Sequence, residues 1–162
     1  MEVMYKAIGT IHSPFTELSG MPIQPTSESS ARGTVELDPK FAEGLKDLDS
    51  FSHIYLIYHL HEAHTAKLRV VPFLDTEERG IFATRAPSRP NPIGLSLVKL
   101  VAIDQNRIHV DQLDVLYGTP LLDLKPFIPA FEGEEDVRMG WVEQAREKVR
   151  SARSDHRFLD KS

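Results

Sequence analysis

The sequence has no cysteine, which removes a disulfide framework, a thiol nucleophile and a thiolate metal site at once. Long apolar runs are missing too. No stretch approaches the roughly 20 apolar residues that span a bilayer, and the opening "MEVMYKAIGTIH" is too polar, and its apolar run too short, for a secretory segment. The expected setting is the cytoplasm. Positive charge is in deficit, with 19 Lys and Arg against 24 Asp and Glu and a net charge of -5. That balance argues against an indiscriminate coat on nucleic acid but leaves room for a local basic patch. A Gly-rich phosphate loop, a nucleophile elbow and an HExxH pair are all absent.

What is present is a chain of 162 residues. That length suits one compact domain of about 15 Å radius, large enough for a core without staples. Apolar and β-branched residues come in short runs. "YKAIGTI" sets Tyr5, Ala7, Gly9 and Ile11 on one face of a strand that stops at "HSPF". Residues 19–32, rich in Pro, Ser and Gly, read as a long loop or lid. "GTVEL" resumes a strand, and "DPKFAEGLKDL" predicts a short helix capped by Asp38, begun by Pro39 and buried through Phe41, Leu45 and Leu48.

"SHIYLIYHLH" is the strongest strand signal. "KLRVVPF", "GIFAT", "IGLSLVKLVAI", "RIHVDQL" and "PLLDLKPFI" follow as further strands, with "DQN" as a hairpin turn between two of them. Many short strands with few intervening helices contradict a repeated βαβ pattern and predict a mostly β, compact antiparallel β-barrel. The expected division is a barrel over residues 1–135, then a C-terminal helix and tail over 136–162. Trp141, Ala145 and Val149 lie on one face of that helix, which would pack on the barrel or on a partner subunit.

Three clusters carry chemistry. In "FATRAPSRPNPIGLS" the prolines at 87, 90 and 92 fix φ and push their predecessors out of the α region. Arg89 and Asn91 are thereby held before any ligand arrives, which lowers the ordering cost of binding. Gly94 permits a close approach. Arg85 and Arg89 offer planar forks to a carboxylate or phosphate; a rigid cap over one barrel end is the plainer reading. In "LDVLYGTPLLDLKPFIP", Asp114 is placed to orient an amine or accept a proton, or else to cap its turn. Asp123 and Lys125 share strand parity, which lets them pair with each other. His53, His59 and His61 also share parity, but parity does not make three ligands converge, and no metal is expected. His61 beside Glu62 is the more useful ligand contact. Lys67, Arg69 and Arg79 are candidates for a positive patch.

"IGTIHSPF", "LDSFSHIYLIYHLHE", "GIFATRAPSRPNPIGLS" and "LYGTPLLDLKPFIP", in this order, resemble the TrmO/TsaA-type family over roughly residues 5–131. The resemblance implies a β-barrel that binds S-adenosylmethionine and N6-methylates threonylcarbamoyl adenosine at position 37 of the tRNA anticodon loop. Carried over, the cofactor contacts are Pro22, Gln24, His61, Glu62, Arg89, Leu97, Asp114, Val115, Leu116 and Tyr117. Asp114 and the carbonyl oxygen of Asn91 become the catalytic candidates, and Arg85 and Lys125 the substrate contacts. Family members often carry arginine where Ile23 stands, glutamine where Glu62 stands and aspartate where Tyr117 stands. Many bacterial relatives add a C-terminal domain to the barrel. A homodimer is also expected. The competing functions are a noncatalytic RNA- or nucleotide-binding barrel and methyl transfer to another RNA or small molecule.

Overall fold

The computed structural model describes residues 1–21, 31–73 and 75–143. Its centre is a closed six-stranded barrel in the order β1-β2-β7-β6-β3-β8, all neighbours antiparallel. The strands are β1 (Gly9–His12), β2 (Ala31–Leu37), β3 (His53–His59), β6 (Ile93–Asp104), β7 (Arg107–Leu113) and β8 (Thr119–Pro126). Between β3 and β6 the chain makes an excursion that holds a two-stranded sheet, β4 (Arg69–Val70) and β5 (Arg79–Gly80).

Period-2 patterning decides which residues fill the barrel. Ile54, Leu56 and Tyr58 of β3 are buried, and their immediate neighbours face outward. Ile11, Val35, Val98 and Ile108 meet them inside. "DQN" is the tip of the β6–β7 hairpin, with Asp104 paired to Arg107 and Gln105 at φ 55°. Closure leaves no long unpaired edge, as the density of short strands required.

Several expected elements come out differently. β1 begins only at Gly9, and Tyr5 is exposed. Gly9 pairs with Leu37, the last residue of β2, and Asp38–Pro39 then turns the chain into a helix, so β2 does not continue beside Tyr5 and Ala7. That helix, Pro39–Leu45, has the predicted Asp38 cap, whose carboxylate accepts from the Lys40 amide, but it is a 3-10 helix. At three residues per turn, Phe41 and Leu45 stand about a third of a turn apart. Leu45 is buried, and Phe41 lies outside under the Lys40 ammonium.

"KLRVVPF" contributes only the two residues of β4, and "GIFAT" is a 3-10 turn at Ile81–Ala83 rather than a strand. Val70, Ile81 and Ala86 form a small second core there. Among the described residues near the C-terminus there is one α-turn, at Pro129–Glu132. The helix predicted through Ala145 and Val149 lies outside the described residues. Trp141, of the same expected face, is described, and its indole N–H donates to the Ala83 carbonyl at 2.9 Å while Arg79 stacks on its ring.

Candidate active site

Antiparallel closure brings the chemically loaded segments to one end of the barrel. The β1–β2, β3–β6 and β7–β8 connections all emerge there, because Ile11 pairs with Thr119, Ala31 with Leu113 and His59 with Ile93. His61, Glu62, the Arg85–Asn91 loop and Asp114–Tyr117 therefore share one rim. Backbone bonds tie these segments together. Leu60 donates to the Pro92 carbonyl at 2.7 Å, and Lys67 to that of Ser88 at 3.0 Å.

Two register shifts aim Asp114 at this rim. In β6, Leu100 pairs with Val110 but Ala102 with His109, so Val101 is an extra residue. In β7, Val110 faces Gly33 and Leu113 faces Ala31, with Gln112 left-handed at φ 63°. Burial passes from Ile108 and Val110 to Leu113 and Val115 across that bulge. Carried three residues past the Lys99–Asp111 pair, the ladder sets Ser96 opposite Asp114.

The Ser96 hydroxyl donates to Asp114 Oδ1 at 2.6 Å. Behind it, Tyr58 Oη lies 2.9 Å from Ser96 Oγ, both residues buried. Desolvation raises the Asp114 pKa to about 6, against the lowering effects of the Ser96 hydroxyl, its own backbone amide and the Arg85 charge. Burial, then the Asp114 charge, raises the Tyr58 phenol well above its ordinary range. Tyr58 and Ser96 were not singled out by motif. Their signal in the sequence is inward parity, Tyr58 with Ile54 and Leu56 on β3 and Ser96 with Val98 on β6.

The Arg85–Asn91 loop is braced from within. Arg89 Nη1 lies 2.8 Å from the Thr84 carbonyl, 3.2 Å from that of Ile81 and 3.4 Å from that of Ala86, and the guanidinium stacks on Phe82. One arginine nitrogen thus holds the curve of the turn. Arg85 is exposed, with its charge felt by Tyr55, Tyr58 and Asp114. Asn91 is exposed, and its backbone carbonyl accepts from the Ile93 amide at 2.8 Å.

His61 lies 3.6 Å from a Glu62 oxygen, and His64 lies 3.7 Å from the other. The stretch after Asp114 is pinned to the end of β1. The Val115 carbonyl accepts from Ser13 Oγ at 2.5 Å, that of Leu116 from Thr119 Oγ1 at 2.7 Å, and the Tyr117 amide donates to Phe15 at 2.7 Å. Val115 is core, whereas Tyr117 is exposed with His12 against its ring.

Not every expected residue joins this rim. Leu97 faces outward, paired across the ladder with Tyr55. Lys125 stands four residues beyond Leu121 on β8, roughly 13 Å along the strand, and forms the anticipated pair with Asp123 at 2.8 Å. Pro22 and Gln24 lie outside the described residues, as does Ile23.

Among the described residues no three His, Asp or Glu side chains gather as a metal site. His53 and His59 stand at opposite ends of β3, roughly 20 Å apart. The positive patch is largely neutralised. Arg79 meets Asp75 at 2.7 Å and Glu77 at 3.0 Å, and Arg69 meets Glu78 at 3.4 Å.

The model of the tRNA-methyltransferase O N-terminal domain matches residues 10–133, which span every barrel strand but the first residue of β1. The chain belongs to this family. A Pyrococcus abyssi protein named "Probable S-adenosyl-L-methionine-binding protein" is 51% identical over 97% of this chain and 85% of its own length. The Escherichia coli tRNA (adenine(37)-N6)-methyltransferase is 34% identical over 87% of this chain and 64% of its own. The crystal structure of TrmO from Pseudomonas aeruginosa matches with a TM-score of 0.73 and 38% identity, over 87% of this chain and 63% of that one. The chain thus spans most of the archaeal relative but less than two thirds of these two bacterial ones.

Proposed function

We propose that this protein is an S-adenosylmethionine-dependent methyltransferase that N6-methylates threonylcarbamoyl adenosine at position 37 of tRNA. The observation that carries the reading is Asp114. It is a desolvated carboxylate, braced by Ser96, on the rim that the proline-locked loop of this family's barrel builds.

The residues fit the cofactor by charge. A carboxylate with its pKa near 6 is ionised at neutral pH and complements a cationic, hydroxyl-bearing ligand. Asp114, the backbone of Val115, Leu116 and Tyr117, His61 and Glu62 would hold it, with Arg89 shaping the loop opposite. Leu97, Pro22 and Gln24 complete the proposed contact set. When bound, S-adenosylmethionine supplies an electrophilic methyl on its sulfonium sulfur.

The chain's own work is placement and proton removal. The N6 lone pair is delocalised into the purine ring, so its alignment matters more than its basicity. Asp114, with the Asn91 carbonyl as a second acceptor, would hold the N6 hydrogen and take that proton as the N–C bond forms and the methyl's bond to sulfur breaks, its electron pair remaining on sulfur. Arg85 faces the threonyl carboxylate, and Lys125 meets RNA further along the barrel. An anticodon loop suits such a site because its bases are already unpaired.

Among the described residues no helix is long and apolar enough to cross a membrane. The substrate class supports a cytoplasmic setting. The exposed Ile93, Leu95 and Val101 of β6 support a homodimer. We keep residues 1–135 as the barrel unit and 136–162 as a tail packed on it or on a partner.

The test is transfer of labelled methyl from S-adenosylmethionine to tRNA with and without threonylcarbamoyl adenosine. Label confined to position 37 of the modified RNA is expected. Labelling of both RNAs moves the acceptor elsewhere. Cofactor binding without transfer leaves a binding barrel.

A further inference from the structure

We propose that Tyr58 and Ser96 are positioning residues that act through Asp114, a one-way hydrogen-bond chain from the barrel core that fixes its carboxylate and keeps it able to accept a proton. The inference rests on the reading of Asp114 as proton acceptor, and its own evidence is geometric.

The direction of the chain follows from counting hydrogens. An ionised carboxylate only accepts, so the single hydroxyl hydrogen of Ser96 goes to Asp114 Oδ1 at 2.6 Å. The Tyr58–Ser96 contact of 2.9 Å then has one possible polarity, with Tyr58 donating. Tyr58 can hold that role at any physiological pH, because burial keeps its phenol protonated. Both hydroxyls therefore point toward Asp114.

The fold provides for this chain at some cost. Tyr58 and Ser96 put hydroxyls on the inner face of a barrel whose buried side chains are mostly aliphatic, Thr119 being another hydroxyl there. A Cβ on Gly94 would lie 2.1 Å from Tyr58 Cε2, so the ring reaches Ser96 only because position 94 is glycine. Beside Tyr58 the β3–β8 ladder shifts by one, with Leu122 as the extra residue on β8, while β3 itself keeps its alternation and Tyr58 continues the inward row of Ile54 and Leu56. A glycine and two buried hydroxyls thus converge on one carboxylate oxygen. Full satisfaction of such a buried network gives it a single arrangement.

The groups that set the charge of Asp114 are few. Burial opposes ionisation, while Ser96, the residue's own amide and Arg85 of the facing loop favour it. Removing the Ser96 hydroxyl leaves burial less opposed. A hydrogen bond to a carboxylate corresponds to about one pH unit in its titration midpoint.

The experiment compares wild type with Ser96→Ala, Ser96→Thr, Tyr58→Phe and Asp114→Asn. Without cofactor, 13C NMR of labelled aspartate carboxyls should place the Asp114 midpoint about one pH unit higher in Ser96→Ala. Tyr58→Phe should move it less in the same direction, and Ser96→Thr should restore it. In methyl-transfer assays the acidic limb of kcat should move with that midpoint, so that kcat falls about tenfold at pH 5 and about twofold at pH 7.

A folded Ser96→Ala protein with an unmoved midpoint and kcat at pH 5 within about twofold of wild type overturns the proposal. So does a loss in Ser96→Thr as large as that in Ser96→Ala. Unchanged turnover in Asp114→Asn would instead overturn the reading of Asp114 on which the proposal rests, whatever the other variants do.

Discussion

Gly94 lies against the ring of Tyr58, its cross-strand partner, so closely that a methyl group at its Cα would sit 2.1 Å from Cε2. One residue without a side chain thus sets how the aromatic lies along the barrel wall. The polar chain to Asp114 depends on that lie.

Gly94→Ala should therefore destabilise the protein by about 1–3 kcal/mol, the usual cost of overpacking a filled core. Urea unfolding with an unchanged m-value is the check. Methyl transfer should fall with it, because the displaced ring no longer reaches Ser96.

Asp114 carries a pH signature in stability. Its pKa is about 6 in the folded protein against 3.8 for the free side chain. Between those values the folded state binds more protons than the unfolded one, so stability falls as pH rises from about 4 to 6. The loss is on the order of 2–3 kcal/mol. Asp114→Asn should remove this component, which paired pH series of urea midpoints for the two proteins would reveal. Activity runs the opposite way and should rise through pH 6 as the acceptor ionises.

Arg89→Lys keeps the charge but loses the planar nitrogen that meets three backbone carbonyls. The expected cost is about 1–2 kcal/mol, with faster hydrogen exchange at the amides of residues 81–86. Exchange that is unchanged there would show that the prolines alone hold the loop.

Trp141 is the sole tryptophan and donates to the Ala83 carbonyl at the base of the same loop. Trp141→Phe should cost about 0.5–1.5 kcal/mol. Arg79→Ala removes the guanidinium over the ring and should shift the wild-type fluorescence to longer wavelength. An emission maximum that stays put would mean that the ring is docked without the cation.

Lys125→Ala separates a substrate contact from a surface pair. The Asp123–Lys125 pair is solvent-exposed, so stability should hardly change. If Lys125 meets a phosphate, tRNA affinity should weaken and the salt dependence of binding should lose about one charge. Equal affinity at every salt concentration would remove it from the substrate set.

Much of this architecture was legible in the chain because its causes are local. Alternation in "SHIYLIYHLH" follows from the two-residue period of a strand, and the turn at "DQN" from the conformations those residues tolerate. The proline-locked loop and its arginines were equally visible, as was Asp114. Helical periodicity was less dependable: Phe41 fell outside because the turn at Pro39–Leu45 is 3-10 wound. "GIFAT" failed as a strand because the Ile81 carbonyl curls back to Thr84 and Arg89.

The sequence by itself determined the β-barrel class, the hairpin and the residue types at the rim, since each rests on contacts between near neighbours. Only the tertiary structure decided which side chain faces which. Counted from the Asp104–Arg107 pair, an unbroken hairpin would set Ser96 opposite Val115; the extra residue Val101 shifts the ladder by one and sets it opposite Asp114. A bulge is a compromise among twist, closure and packing around the whole barrel. No single stretch of the chain carries that information, and the position of the carboxylate depends on it.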